Sequence, residues 1–393
     1  MHRLQQAITP PIAADINNRR QDRLVEFFHP TYPNSSSPLL TLVAVDAGKD
    51  DTIGIDYELA KVACGIVAGN RWGEDTYFAT KNRQDDQDTP KWETVQTPED
   101  GILCVGTSYY FIVDHPANRY PVVPSFDHWR FPHGELPSLW ATLCIPESCG
   151  LATGDADGRN TARNRDISCR ITGSFENTEV AHLIPFAHKK WFESNKMERY
   201  CWLPDMVNTI DDETNLLLLR ADIYGLLDRN RLVIVPKHDN PSALSSSPAT
   251  LVIHAILPFG SREISQYYHN RALQSPVTGI RREHLFARFA QSLLCDENYK
   301  FLSGPHKYAV LLHDEEKGIQ EIRDIYHDAI KDCSQIFPSA VGRTRSVSPK
   351  KRKAPPTQQA ATSCWNVDGS SDEDETEQTT SDSETQPRGR IKN

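Results

Sequence analysis

The chain has 393 residues, of which 38% are hydrophobic, with 26 prolines and a formal net charge of −10. At roughly 100–200 residues per domain this length fits two domains plus tails, and the low apolar share reads as ordinary cores diluted by polar segments. No run approaches about 18 apolar residues and the start lacks an apolar h-region, so neither a membrane span nor a secretory signal is expected.

Residues 1–35 read as a polar, proline-bearing N-terminal arm. Residues 36–146 read as a small α+β domain of unknown role. Leu39–Val45, Thr76–Thr80, Gly101–Gly106 and Ser108–Asp114 are rich in β-branched and aromatic residues and bounded by turn formers, the pattern of strands. Ile55–Gly69 sets Leu59, Val62, Ala63 and Ile66 at helical spacing, with Gly69 as the stop. Tyr120–Trp140 holds too many prolines for a central strand and is dense in aromatics, so it should wrap over a core. His128 and His133 in that stretch, with Asp127 and Glu135 nearby, could bind a metal. Packing against Trp129 and Trp140 is the expectation, since no ligand motif accompanies them. Residues 147–166 are nearly devoid of apolar side chains and read as a linker or surface loop.

Residues 167–335 form the second expected domain. Its informative stretch runs from Cys169 to Pro258. EVAHLI reads as a strand ended by Pro185, Leu216–Leu219 as a short buried run, and Arg220–Arg229 as a helix of two to three turns with Asn230 at the stop. LVIVP and LVIHAILP read as two strands of a hairpin joined by a serine-rich connection. Tyr224 and Asp228, four apart, share a helix face, and His182 at the strand end can face that helix. Phosphodiester hydrolysis needs a base to activate water and a divalent cation to stabilise charge on the phosphate, tasks that suit an imidazole and a helix carboxylate.

The string A-H-L-I-P-F, then N-L-L-L-L-R-A-D-I-x-x-L-x-D-R, then V-I-V-P resembles the HNH (ββα-metal) nucleases, in the subfamily common in fungal proteins. Ile264–Leu294 resembles the helical closure of the same subfamily. The resemblance implies a ββα-metal domain with helical closure. It also implies a metal-dependent endonuclease acting on nucleic acid, DNA ahead of RNA. Carried over by motif position, His182 is the general base, Asn215 the asparagine that supports the loop or assists the metal, and Asp228 a helix ligand. The implied cofactor is a divalent ion, Mg²⁺ first, with Mn²⁺, Ni²⁺ or Zn²⁺ as alternatives. Two departures stand out. Tyr224 takes the place of the usual histidine ligand, and a phenol with a pKa of about 10 is a poor ligand at neutral pH. Ala181 stands where many members have Asp, His or Glu. Three outcomes stay open: weak activity, recruitment of His188 or Asp222, or an inactive nucleic-acid-binding, regulatory or interaction protein on the same scaffold.

Arg281, Arg282 and Arg288 share a helix with Leu285, Phe286, Phe289 and Leu293, so a solvated polar face is the default and a phosphate-contacting face the alternative. The nine cysteines include no C-x-x-C pair, which fits a reducing compartment and buried thiols. Residues 336–393 read as a disordered tail. Eight acidic residues between Asp368 and Glu384 lie in it, and subtracting them from −10 leaves a body near −2. Pro349–Pro355 (PKKRKAP) reads as a nuclear-import signal for an import receptor, which makes the expected location nuclear, with the cytoplasm as alternative.

Overall fold

A computed structural model describes residues 24–33, 37–82, 91–147, 157–204, 208–238, 249–256, 262–295, 299–314 and 317–329. The expected basic cluster, acidic stretch and tail lie outside the described residues, as does most of the serine-rich connection. The architecture is α+β with several small sheets. Among the described residues no helix is long and apolar enough to cross a membrane.

The first sheet has five strands in the order β2-β1-β8-β5-β6: β1 is Leu24–Phe28, β2 Leu40–Val43, β5 Thr76–Asn82, β6 Lys91–Thr94 and β8 Ser108–Val113. β1 and β8 run parallel and the other pairs antiparallel. A smaller antiparallel sheet joins β3 (Asp46–Ala47), β4 (Ile53–Asp56) and β7 (Ile102–Cys104). The strands at residues 40–43, 76–82, 102–104 and 108–113 follow the sequence expectation. β1 does not: the polar composition of the first 35 residues conceals LVEFF, whose Val25 and Phe27 are fully buried. Alternation decides this, since Val25 and Phe27 face the main core while Phe28 meets Tyr110 on the other face.

Helix α1 (Tyr57–Val67) begins where the Asp56 carboxylate accepts from Leu59 N–H, and ends as Gly69 turns to φ +75°. The proline-rich stretch wraps over the core as expected. It holds the short helix α2 (Ser138–Ala141), and both Trp129 and Trp140 are fully buried. His128 Nδ1 accepts from His313 N–H, while His133 bonds the Tyr200 hydroxyl and the Asn195 carbonyl, so both histidines are committed to packing contacts.

The expected linker contains a helix, α3 (Gly158–Asp166). Its buried residues are Ala162 and Asp166, one apolar and one charged, so apolar content does not reveal it. Asp157 caps its start and the Arg165–Asp166 pair fixes its end. Arg165 donates to the carbonyls of Leu216, Glu213 and Gly279, and Asp166 accepts from Leu218 N–H.

β9 (Thr178–His182) pairs antiparallel with β10 (Leu216–Arg220). Between them lie α4 (Lys189–Ser194) and several short turns; α5 (Ala221–Asp228) follows β10 directly. β11 (Leu232–Lys237) and β12 (Thr250–Ala255) form the next hairpin. Then come α6 (Arg262–Tyr267), α7 (Arg282–Leu293) and the hairpin β13 (Lys307–Asp314) and β14 (Ile319–Tyr326). The main apolar cluster runs from Val25 to Leu312 and takes in Trp129, Trp140, Val235 and Phe286. A second cluster joins β9, β10, α5, β11 and β12.

Helix α7 contradicts the expectation of a solvated arginine face. Arg288 is 2% exposed, because α7 lies between the two apolar clusters with Phe286 and Phe289 against Trp140 on one side and Leu285 on the other. Arg281 and Arg282 lie nearer the surface and are engaged with Glu147, Glu283 and backbone carbonyls.

Candidate functional site

The β9–β10 register fixes what each side chain meets. His182 pairs with Leu216 and Val180 with Leu218, so these four share one face of the hairpin. Val180, Leu216 and Leu218 pack there on Ala162 of α3. Ala181, Leu217 and Leu219 point the other way, onto Ile223 and Leu227 of α5. His182 therefore lies on the α3 side of the hairpin, opposite to α5, which corrects the expectation that it faces that helix: strand alternation gives the α5 face to Ala181 instead.

On that side the Nε2 of His182 donates to Asp211 Oδ1 at 2.8 Å. Asn208 donates to the other oxygen of Asp211, and the Arg159 guanidinium lies 3.8 Å from Oδ1. Lys189 holds Asn208 Oδ1 at 2.9 Å. The hydrogen bond from His182 holds the Asp211 carboxyl below its ordinary pKa; burial opposes this, and the charges of Arg159 and Lys189 assist. An ionised Asp211 accepts the proton on Nε2 and fixes the ring's orientation, so that the neutral imidazole would carry its lone pair on Nδ1. α3 can approach because Gly158 has no side chain: a Cβ there would lie 2.0 Å from the Asp211 carbonyl oxygen.

Asn215 is fully buried. Its Oδ1 accepts from Ile184 N–H at 2.8 Å, and its Nδ2 donates to the carbonyls of Ile184 and Ile210 at 3.1 and 2.9 Å. It thus pins the segment after β9 to the turn before β10. Asp212 works beside it, accepting from the backbone N–H groups of Trp202, Leu203 and Thr214. Sequence reasoning passed over Asp211 and Asp212. The signal was present in D-D-E-T-N, where an aspartate two residues before a threonine forms a side-chain turn.

On the α5 side, Ala181 lies in the apolar cluster and Tyr224 packs against it. Asp228 acts electrostatically on the buried Arg288, whose Nη2 donates to the Leu227 carbonyl. Burial lowers the Arg288 pKa to about 10, with Asp228 the main opposing charge. His188 meets Phe126 edge-on, and burial lowers its pKa to about 4. Asp222 is bound by both ends of the Arg220 guanidinium, at 2.7 and 2.6 Å. Hence His182 and Asn215 are joined through the 208–216 turn, while Asp228, Tyr224, His188 and Asp222 have other partners.

Residues 169–235 match the HNH endonuclease family. No curated protein and no solved structure matches the chain. The match covers β9, β10, α5 and most of β11, and members of this family generally use a divalent metal in acting on nucleic acid. The residues of the HNH segment do not fit such an ion at the expected helix position. On the helix Tyr224 offers a phenol and Asp228 lies in the electrostatic field of the buried Arg288, and Ala181 of β9 has no donor atom. Among the described residues, the His, Cys, Asp and Glu side chains whose ligand atoms converge in a group of three are Asp46, His254 and His269, outside the HNH segment.

Proposed function

We propose that this chain binds nucleic acid, DNA ahead of RNA, along the α3 edge of its HNH segment, and that HNH-type metal-dependent cleavage has been lost from it. The observation that carries this reading is the chemistry of the expected metal side, where Ala181 is buried without a donor atom, Tyr224 packs as a phenol on the same apolar cluster and Asp228 is left as the one carboxylate, beside the His182–Asn215 frame. The order β9, β10, α5 supports the ββα scaffold on which the reading rests. Arg159 and Lys189 border the His182–Asp211 pair, and the exposed Arg163 lies one helical turn from Arg159, which suits phosphate contacts. The basic cluster Pro349–Pro355 supports nuclear import as the route to such a ligand.

A second reading, hydrolysis with His182 as base, is favoured by the Asp211 hydrogen bond, which would orient the imidazole for attack by water at phosphorus.

The binding half of the proposal is tested by fluorescence anisotropy of a labelled duplex across a salt series. Replacing both Arg159 and Lys189 by Gln should weaken binding at low salt and reduce the slope of log K against log salt by about 1–2, since each phosphate contact contributes about 0.9. Unchanged affinity and slope would remove the α3 edge as the binding face.

A further inference from the structure

A second group of chemically active side chains lies outside the HNH segment, where β3 meets the β11–β12 hairpin. The hairpin register puts Lys237, Val235 and Val233 on the same face as Thr250, Val252 and His254, directed at the main core. Asp46 of β3 meets that face. The chain leaving α6 runs beside β12, where Asn270 N–H donates to the Ile253 carbonyl, and so delivers His269 and Asn270 to the same spot. Asp46 Oδ1 accepts from Lys237 Nζ at 2.6 Å, from His269 Nε2 at 2.9 Å and from Asn270 Nδ2 at 2.9 Å. Its Oδ2 accepts from Asp56 N–H at 3.0 Å.

His254 is the unexplained member. It is 1% exposed, and its Nδ1 is buried with no hydrogen-bond partner, a costly arrangement for an imidazole nitrogen. Ligand atoms of Asp46, His254 and His269 all lie within 4.8 Å of one another. Two imidazoles and one carboxylate form a donor set suited to a zinc-like ion, with a fourth position left for water. Burial lowers the basicity of both histidines and so favours the neutral form that binds metals. Burial works against the Asp46 carboxylate, but Lys237 and His269 keep it ionised.

We propose that Asp46, His254 and His269 bind one divalent transition-metal ion of the zinc class, in competition with the ammonium of Lys237. The ammonium shows that this position accepts a cation. It also has somewhere to go: a cavity of about 20 Å³ is lined by Lys237, Asp56, Glu58 and His238, and its two carboxylates can receive the displaced charge. A bound ion would tie β3 to β12 and so brace the N-terminal sheets against the hairpin that follows the HNH segment.

The test uses the full chain, stripped with a chelator and titrated with Zn²⁺, reading bound metal after dialysis and the urea midpoint. The proposal expects one ion per chain and a rise in the midpoint. Lys237→Met, which removes the competitor and leaves every ligand, should bind at least about tenfold more tightly and gain more stability from Zn²⁺ than the wild type. His254→Gln and His269→Gln, checked for folding by circular dichroism, should each weaken binding at least about tenfold. Tyr224→Phe and Asp228→Asn should leave it unchanged, which separates this site from the HNH segment. No binding to wild type or Lys237→Met, or no tightening in Lys237→Met, would overturn the proposal and leave Lys237 as the permanent cation of the cluster.

Discussion

The Nε2 of His182 donates to Asp211 Oδ1 over 2.8 Å, and this pair lies on the α3 side of the β9–β10 hairpin while Asp228 belongs to the helix packed on the opposite side. The base end and the metal end of the expected HNH centre thus have separate fates. The base end keeps its carboxylate partner, its pinned loop and a cationic border. On the expected metal side Ala181 is buried in an apolar cluster, Tyr224 packs half-buried against it, and Asp228 is half-exposed.

The His182–Asp211 bond makes stability depend on pH in a defined window. Asp211 is held below its ordinary pKa in the folded chain, so its contribution is full above the unfolded value of about 3.9 and is lost as pH falls through the lower folded value. Urea midpoints of wild type and Asp211→Asn should differ near about pH 6 and converge near about pH 2. A difference as large at the acid end would remove the ionised pair as its cause.

His29 gives a second window. It is 2% exposed, and burial lowers its pKa to about 3 despite the bond to the Tyr120 carbonyl. The unfolded chain takes up a proton near about pH 6.5 that the folded chain refuses, so this contribution is full above about 6.5 and lost as pH falls to about 3. The wild-type urea midpoint should therefore drop more steeply across that range than the midpoint of His29→Phe. Parallel curves would show that His29 does not drive the acid response.

Asn215 supports the loop through three buried hydrogen bonds to backbone groups. Asn215→Ala leaves those groups without partners and should cost about 2–4 kcal/mol in urea unfolding. A loss under about 1 kcal/mol would mean that the turn before β10 holds without it.

Trp129 joins the aromatic stretch to α4, stacking on Trp191 at 5.6 Å and donating to Asn70 Oδ1 at 2.7 Å. Trp129→Ala should cost about 3–5 kcal/mol, and it should also loosen the 189–194 helix beside the His182–Asp211 pair. Faster amide exchange in α4 than in β5 of the variant would trace that path.

Periodic segments were legible from the sequence: α1, α5, the strands β2, β5, β7 and β8 and the hairpin β11–β12 follow from alternation, helical spacing and turn residues, whereas the short strands β3, β4 and β6 do not. β1 and α3 were not, because each is a short amphipathic piece in a polar context, held by Val25 and Phe27 in one case and by Ala162 with the Arg165–Asp166 pair in the other. The motif singled out His182 and Asn215, and the 208–216 turn joins them. It did not reveal Asp211, whose role depends on a 29-residue separation closed by the fold. Nor did it reveal that Arg288 turns inward, since helical spacing gives the angle between side chains and not what the far side packs against.

Plasmid nicking by the purified full chain, with Mg²⁺, Mn²⁺, Ni²⁺ or Zn²⁺ and with His182→Ala beside it, tests the central claim most directly. The account predicts salt-sensitive binding of the plasmid and no nicking with any of the four ions. Metal-dependent nicking by the wild type that disappears in His182→Ala would contradict it and establish hydrolysis with His182 as base.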